Sequence, residues 1–404
     1  MEKTLNRSHN NETFIYGFSR LFERASYYGL RSLIVVYMVG ETLKMSITEA
    51  LLIYGWFTAA IVFSQILGAL LGDLLIGGRW AMIIGGTIQA AGAFALCVPS
   101  SIALYMGLGL IALGNGLYSP NLIASFGKSY LDKTKLLDAG FMILYLMVSI
   151  GTFLGMMLLG YIGERFMMLG FIVAGILMLI SVFLIYFFKS QSDKPVKIKA
   201  PINLRVLNIL FTPILVAIFW AAYEMANIRS FDILMQFGET EVFGISRSVW
   251  SALGSSVTIL FALIFAIIWS YFYSRQLVKM ILGFLLGALS FGILFMIPAI
   301  PSSEHVPIYF GSIVVFSIAE IHTAPLLYSV LTKYANPKYL AILVALAVIP
   351  MRSFSYLSSR ISENYHNETN TALGIGTTVL LVVAGALIIY LLLSRYLFKD
   401  KSNV

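Results

Sequence analysis

Apolar runs separated by short polar spacers follow one another along the whole chain. Twelve of them, at 13–39, 47–72, 80–98, 101–127, 137–161, 167–188, 206–238, 244–273, 279–300, 306–334, 337–361 and 371–396, read as membrane-crossing helices. A bilayer core of about 30 Å takes roughly 20 apolar residues per helix. Several runs exceed one perpendicular crossing, which predicts tilt. The polar stretch from Met1 to Glu12 lacks the apolar core of a signal peptide, so the first helix is expected to stay in the mature protein.

The longest polar spacer, KSQSDKPVKIKAP at Lys189–Pro201, leaves six runs on each side. It predicts an all-α polytopic membrane protein with an N-terminal six-helix bundle at 1–188, a basic linker at 189–205 and a C-terminal six-helix bundle at 206–404. Such a two-bundle layout is that of a transporter with its substrate site near the midplane between the bundles. With the N-terminus inside, 18 Lys and Arg residues fall on one side and 4 on the other, which makes both termini cytoplasmic.

Composition narrows the class further. At 59% apolar and 11% charged, with a mean hydropathy of +0.88, the chain is no ordinary soluble enzyme, disordered protein or nucleic-acid binder. Its net charge of +8 sits in the short spacers, a distribution suited to an anionic lipid leaflet. A lone cysteine, Cys97, excludes a disulfide framework, and the 4 histidines show no metal-ligand spacing. No P-loop and no nucleophile–base arrangement is present, so neither enzyme activity, nor a metal, nor a cofactor is expected.

Chemistry concentrates on the first helix. Arg20, Glu23, Arg24, Tyr27, Tyr28 and Arg31 fall at offsets that share one helix face. Charges at membrane depth are costly and usually face a bundle interior or wet cavity, so this stripe is expected to line one. Carboxylates recur at Glu224 and Glu320, each within an apolar run. Either can pair with a stripe arginine, hold a cationic group or carry a proton, and a fixed ion pair joining the bundles is the structural alternative. His322 lies close to Glu320, and Arg352 near Pro350 offers a further cation. Ser119-Pro120-Asn121 is expected to interrupt the fourth helix, and Pro325 and Pro350 to break the tenth and eleventh.

The string Glu23-Arg24-Ala25-Ser26-Tyr27-Tyr28-Gly29-Leu30-Arg31 resembles the ExxER(F)xYYG signature of proton-dependent oligopeptide transporters, a branch of the major facilitator superfamily. Gly68 and Asp73 to Arg79 resemble the superfamily's loop motif between helices 2 and 3. Gly114-Asn115-Gly116-Leu117 with Pro120-Asn121 resembles GxGLxKPN, and Asp138-Ala139-Gly140-Phe141 with Tyr145 and Gly151 resembles DAGF…FYxxINxG. Phe219-Trp220-Ala221 with Glu224 resembles FWAxxEQ, and Glu320 with Pro325 resembles ExxxxP. The resemblance implies the superfamily fold and proton symport of small peptides. It implies that Arg24, Tyr28, Arg31, Tyr145, Trp220 and Glu320 meet the substrate. It implies that Glu23, Arg24, Arg31, Glu224 and Glu320 serve proton coupling and gating, with Glu224 paired to Arg31.

Four positions depart from the family pattern. Arg20 replaces the first Glu, Ser119 the Lys of KPN, Ser149 the Asn of INxG and Met225 the Gln after the helix-7 Glu. The places that sum to zero in the family hold Arg20, Glu23, Arg24 and Ser119 here, for +1. Two alternatives therefore stand beside peptide transport. One is a carrier of an anionic non-peptide solute. The other is a former transporter serving as a membrane-embedded subunit, with a membrane-protein partner. The expected setting is the lipid bilayer of a bacterial inner membrane.

Overall fold

The computed structural model describes residues 9–188, 200–239, 247–365 and 368–399, and within them every regular element is a helix. Residues 1–8 and the linker positions 189–199 lie outside the described residues. The helices are α1 (Asn11–Val39), α2 (Ile47–Leu71), α3 (Gly78–Ala95), α4 (Ser101–Lys128), α5 (Leu137–Arg165), α6 (Met167–Phe187) and α7 (Ile202–Glu239). They continue with α8 (Arg247–Tyr271), α9 (Gln276–Leu294), α10 (Val306–Ile321), α11 (Ala324–Tyr334), α12 (Leu340–Leu346), α13 (Val348–Ser362) and α14 (Thr369–Lys399). By length and composition, 9 helical stretches among the described residues can cross a membrane. The charged stripe keeps α1 out of that set.

Apolar side chains cover the outside as well as the core. Trp56, Phe63 and Ile102 are 77%, 68% and 74% exposed, which water would not tolerate over so wide a surface and lipid does.

The prolines act in two ways. Pro325 has no N–H to offer the carbonyl of Ile321, and the chain breaks between α10 and α11. There His322 Nδ1 bonds the Ile318 carbonyl at 2.7 Å and Thr323 Oγ1 donates to Ala319 O at 3.1 Å. Pro350 likewise follows the break between α12 and α13. Pro120 does not break α4, contrary to the sequence expectation: the helix runs on through it to Lys128. The Asn121 amide braces the turn that follows, donating to Leu117 O of its own helix at 2.8 Å and to Gly68 O of α2 at 3.0 Å. It ties the weakened turn to a neighbour.

The chain forms two compact units, Met1–Val206 with Leu331–Val348, and Leu207–Val330 with Ile349–Val404. In the first, α1 packs on α5 and α6, α2 on α4, and α3 on α4 and α6. Small residues permit these approaches. A Cβ at Gly151 or Gly155 of α5 would strike the α1 backbone at Leu21 or Ala25, and one at Gly116 of α4 would strike Ser64 of α2. A hydroxyl node joins three helices: Tyr118 Oη lies 2.6 Å from both Ser19 Oγ and Ser181 Oγ. Asp73 accepts from the Ile342 N–H at 3.0 Å, at the start of α12, and faces Lys128 Nζ at 3.5 Å.

In the second unit α9 packs on α10 and α14, and α8 on α10. Phe219, Tyr223 and Phe291 stack around Phe316, with centroids 5.8, 4.5 and 5.7 Å away. Arg229, only 1% exposed, pairs with Asp232 at 2.6 Å. It also donates to the carbonyls of Ile297 and Pro298 at 3.1 and 2.6 Å, fixing the chain that leaves α9.

Candidate functional site

The first unit collects its charges on α1, where offsets of three and four residues stack side chains over successive turns. Glu23 is completely buried. Its Oε2 accepts from Arg24 Nε at 2.6 Å and Arg20 Nη1 at 3.0 Å, and its Oε1 from Arg24 Nη2 at 2.7 Å and Asn115 Nδ2 at 3.2 Å. A carboxylate offers about four lone-pair positions, so this one is saturated. Gln65 of α2 extends the chain of bonds, donating to Asn115 Oδ1 at 3.2 Å. The network thus ties α2 to α4 and α4 to α1.

The same face carries two phenols and a third guanidinium, and α2 adds the phenol of Tyr54. Arg24 Cζ stands 4.9 Å from the Tyr27 ring centroid and 5.6 Å from that of Tyr28. One turn or two further on, Arg31 Cζ lies 5.6 Å from both of those rings and 5.4 Å from Tyr54 of α2. Arg31 Nε donates to Tyr54 Oη at 2.7 Å. Among the described residues no carboxylate lies within ion-pair distance of Arg31. Cation–π contacts cover its faces and supply no counter-charge.

Of the altered family positions, Arg20 belongs to this network. Ser119 is buried on α4, and Ser149 on α5 donates to the Tyr145 carbonyl at 3.1 Å. Tyr145 itself is half-buried.

In the second unit Glu224, half-buried on α7, accepts a hydrogen bond from Ser355 Oγ of α13. Ser358 Oγ donates to Ala221 O at 2.8 Å, so α13 is stitched to α7 twice. Glu320 Oε2 accepts from Thr258 Oγ1 of α8 at 3.3 Å, and that threonine also reaches Ser317 Oγ at 3.1 Å. Trp220 is half-buried, its ring 5.6 Å from that of Tyr223, while Met225 is buried in the core. His322 packs against Phe265 and Trp269 and bonds the backbone. Arg352 is exposed on its unit. The sequence-expected residues thus form one group in the first unit, around Arg20, Glu23, Arg24, Tyr28 and Arg31, and another in the second, around Trp220, Glu224 and Glu320.

Three contributors escape the sequence reading as site residues: Gln65, Asn115 and Tyr54. Gln65 and Asn115 carry the signal of uncharged polar groups inside apolar runs. Tyr54 carries none, since tyrosine is common near membrane interfaces.

A family model described as the Major Facilitator Superfamily matches residues 16–358 of the chain. The chain belongs to that superfamily. Membership makes it a multi-pass membrane protein of a family of transporters rather than of enzymes. Among curated relatives, it is 36% identical over 156 residues to the dipeptide and tripeptide permease B of Yersinia enterocolitica, covering 38% of this chain and 31% of that one. The permease B of Edwardsiella piscicida is 32% identical over 235 residues, covering 55% and 46%. The matched stretches therefore span less than half of these relatives' own length. A solved peptide transporter, POT, in complex with sulfate shares the fold at a TM-score of 0.60 and 22% identity, covering 94% of this chain and 95% of that one. A POT family transporter in complex with 5-aminolevulinic acid superposes at 0.63 with 19% identity, covering 95% and 96%. Within the superfamily, the similarity is to peptide transporters.

Proposed function

We propose that this chain is a secondary carrier moving di- and tripeptides, or peptide-like solutes, across the bacterial inner membrane. It works by alternating access and couples transport to proton symport. Twelve crossings, cytoplasmic termini and a basic linker at 189–205 joining two six-helix bundles belong to the same reading. Arg24, Tyr28 and Arg31 take the carboxylate end of the substrate, Glu320 its amino group, and Tyr145 and Trp220 line the path. The observation that supports this most directly is the arrangement of two guanidinium groups and their phenols on one face of α1. The peptide permeases among the relatives point the same way.

Geometry distinguishes the coupling candidates. A proton added to Glu23 would leave two buried guanidinium groups facing a neutral acid, a costly state. Glu224 is held by a hydroxyl, which can turn and accept a hydrogen bond from the protonated acid. Proton uptake is therefore assigned to Glu224 and Glu320, and Glu23 to holding Arg24 in place. Purified protein in proteoliposomes tests the reading. Alanyl-alanine is expected to accumulate only under an inward proton gradient, and Glu320→Gln to abolish that dependence. Gradient-insensitive uptake by the unaltered chain would reduce the function to facilitated transport or exchange.

Arg31, without a carboxylate among the described residues, favours a second reading: a carrier of an anionic non-peptide solute. Thermal-shift screening of organic acids against peptides separates the two, because a ligand of the folded state raises its stability. Co-purification of a stoichiometric membrane protein, with cellular function kept by Glu23→Gln/Glu320→Gln, would instead favour a subunit role.

A further inference from the structure

Arg24 and Arg31 of the α1 face are held differently. Arg24 is closed on Glu23 through both Nε and Nη2. Arg31 commits only its Nε, to the oxygen of Tyr54 at 2.7 Å, and is flanked by aromatic rings. Fixing Nε on the phenol oxygen leaves both terminal nitrogens uncommitted among the described residues, one of them flanking the side-on edge that Tyr54 occupies. The phenol that fixes it is at once acceptor and donor. Tyr54 uses its oxygen to accept from Arg31, so its O–H remains to be given. Among the described residues it has no acceptor for that proton. On that edge the Tyr54 O–H and the neighbouring terminal N–H can be given together to one ligand oxygen.

We propose that Tyr54 is a specificity-determining residue. It orients Arg31 and donates beside it, so that the pair seats a planar carboxylate of the ligand and rejects the matching amide. The inference deepens the peptide reading and rests on it for the source of the carboxylate. An amide turns an NH2 group toward a cluster of donors and leaves at least one of them unsatisfied. Sites built this way discriminate strongly against the wrong group. One hydrogen bond to a charged acceptor accounts for about a tenfold change in affinity or more.

The test is ligand affinity of the full chain in detergent, measured for alanyl-alanine, its C-terminal amide, N-acetylalanine and the amide of the latter. The unaltered chain is expected to prefer each acid over its amide by at least about tenfold. Tyr54→Phe keeps the ring beside Arg31 and loses only the oxygen. It is expected to weaken the acids about tenfold and leave the amides nearly unchanged. Arg31 acting alone would keep the whole acid preference in Tyr54→Phe, and a purely structural role would weaken acid and amide alike. Either outcome overturns the proposal while leaving peptide transport standing. If alanyl-alanine fails to bind but N-acetylalanine shows the Tyr54-dependent preference, the peptide reading falls and the carboxylate seat stands. An unaltered chain that binds acid and amide equally overturns the seat without any variant, so the outcome does not depend on Tyr54→Phe folding. An unaltered chain that binds none of the four probes overturns both readings.

Discussion

Glu23 of the first unit accepts three hydrogen bonds from guanidinium groups and one from an amide, in complete burial. Glu224 of the second unit, half-buried, accepts from a serine hydroxyl, and Glu320 from a threonine hydroxyl. The same functional group is thereby put to different uses. Surrounded by cations, a carboxylate is locked in one protonation state and becomes a strut. Held by a hydroxyl that can donate or accept, it can exchange a proton without losing its partner. In the proposed carrier, the cation-rich first unit would receive the anionic group of the substrate, and Glu224 and Glu320 of the second a cation or a proton.

The strongest way to break this contrast is to neutralise one acid of each kind. Glu23→Gln strips the shared carboxylate from two buried arginines, and breaking a buried pair on one side costs about 3–5 kcal/mol. Glu224→Gln keeps an oxygen for Ser355, so its cost is that of one altered neutral hydrogen bond, about 0.5–1.5 kcal/mol. Thermal unfolding of the two variants in detergent should therefore show a large drop in midpoint for the first and a small one for the second. Equal drops would mean that Glu224 is as structural as Glu23.

A smaller effect sharpens the picture of the strut. Asn115→Leu keeps the branching of the side chain, removes one hydrogen bond to the Glu23 carboxylate and leaves the Gln65 amide without that acceptor. Hydrogen bonds to charged groups contribute about 1.5–3 kcal/mol, and that is the expected loss in stability. An unchanged unfolding midpoint would remove α4 from the network and leave Glu23 supported by α1 alone.

Much of this was legible in the sequence because period and cost are both local properties. The α1 stripe follows from residue spacing, and the breaks after Ile321 and Leu346 from prolines that cannot donate. Gly68, Gly114, Gly116 and Gly151 of the family motifs turn out to be contact points at which one backbone rests on another. What escaped depends on partners distant in sequence. That Asn121 would brace the turn beside Pro120 requires Gly68 on another helix. That Asn115 would reach Glu23 spans 92 positions, and no spacing rule connects them. Arg229 shows no periodic signal either, because its partners are carbonyls of Ile297 and Pro298 in a turn.

The least effect is expected at the edge of the first unit, where a histidine offers the opposite arrangement to a carboxylate among cations: a base held beside one. His9 Nδ1 lies 2.7 Å from Tyr130 Oη, which also meets Thr13 Oγ1 at 2.6 Å. Asn10 bonds the Ser129 carbonyl at 2.9 Å and takes Lys133 Nζ at 2.5 Å. Together these contacts dock the chain entering α1 onto the turn that follows α4. Burial, with the Lys133 ammonium as a second cause, holds His9 below its ordinary pKa, so the folded protein keeps the ring neutral. In the unfolded chain the imidazole takes up a proton near its usual value of about 6.5. Below that pH the unfolded state binds more protons than the folded one, so stability is present above the ordinary value and declines as the pH falls through it. Unfolding midpoints measured from pH 7.5 down to about 5 should decline more steeply for the unaltered chain than for His9→Gln. Parallel curves would show that this contact carries no proton-linked stability.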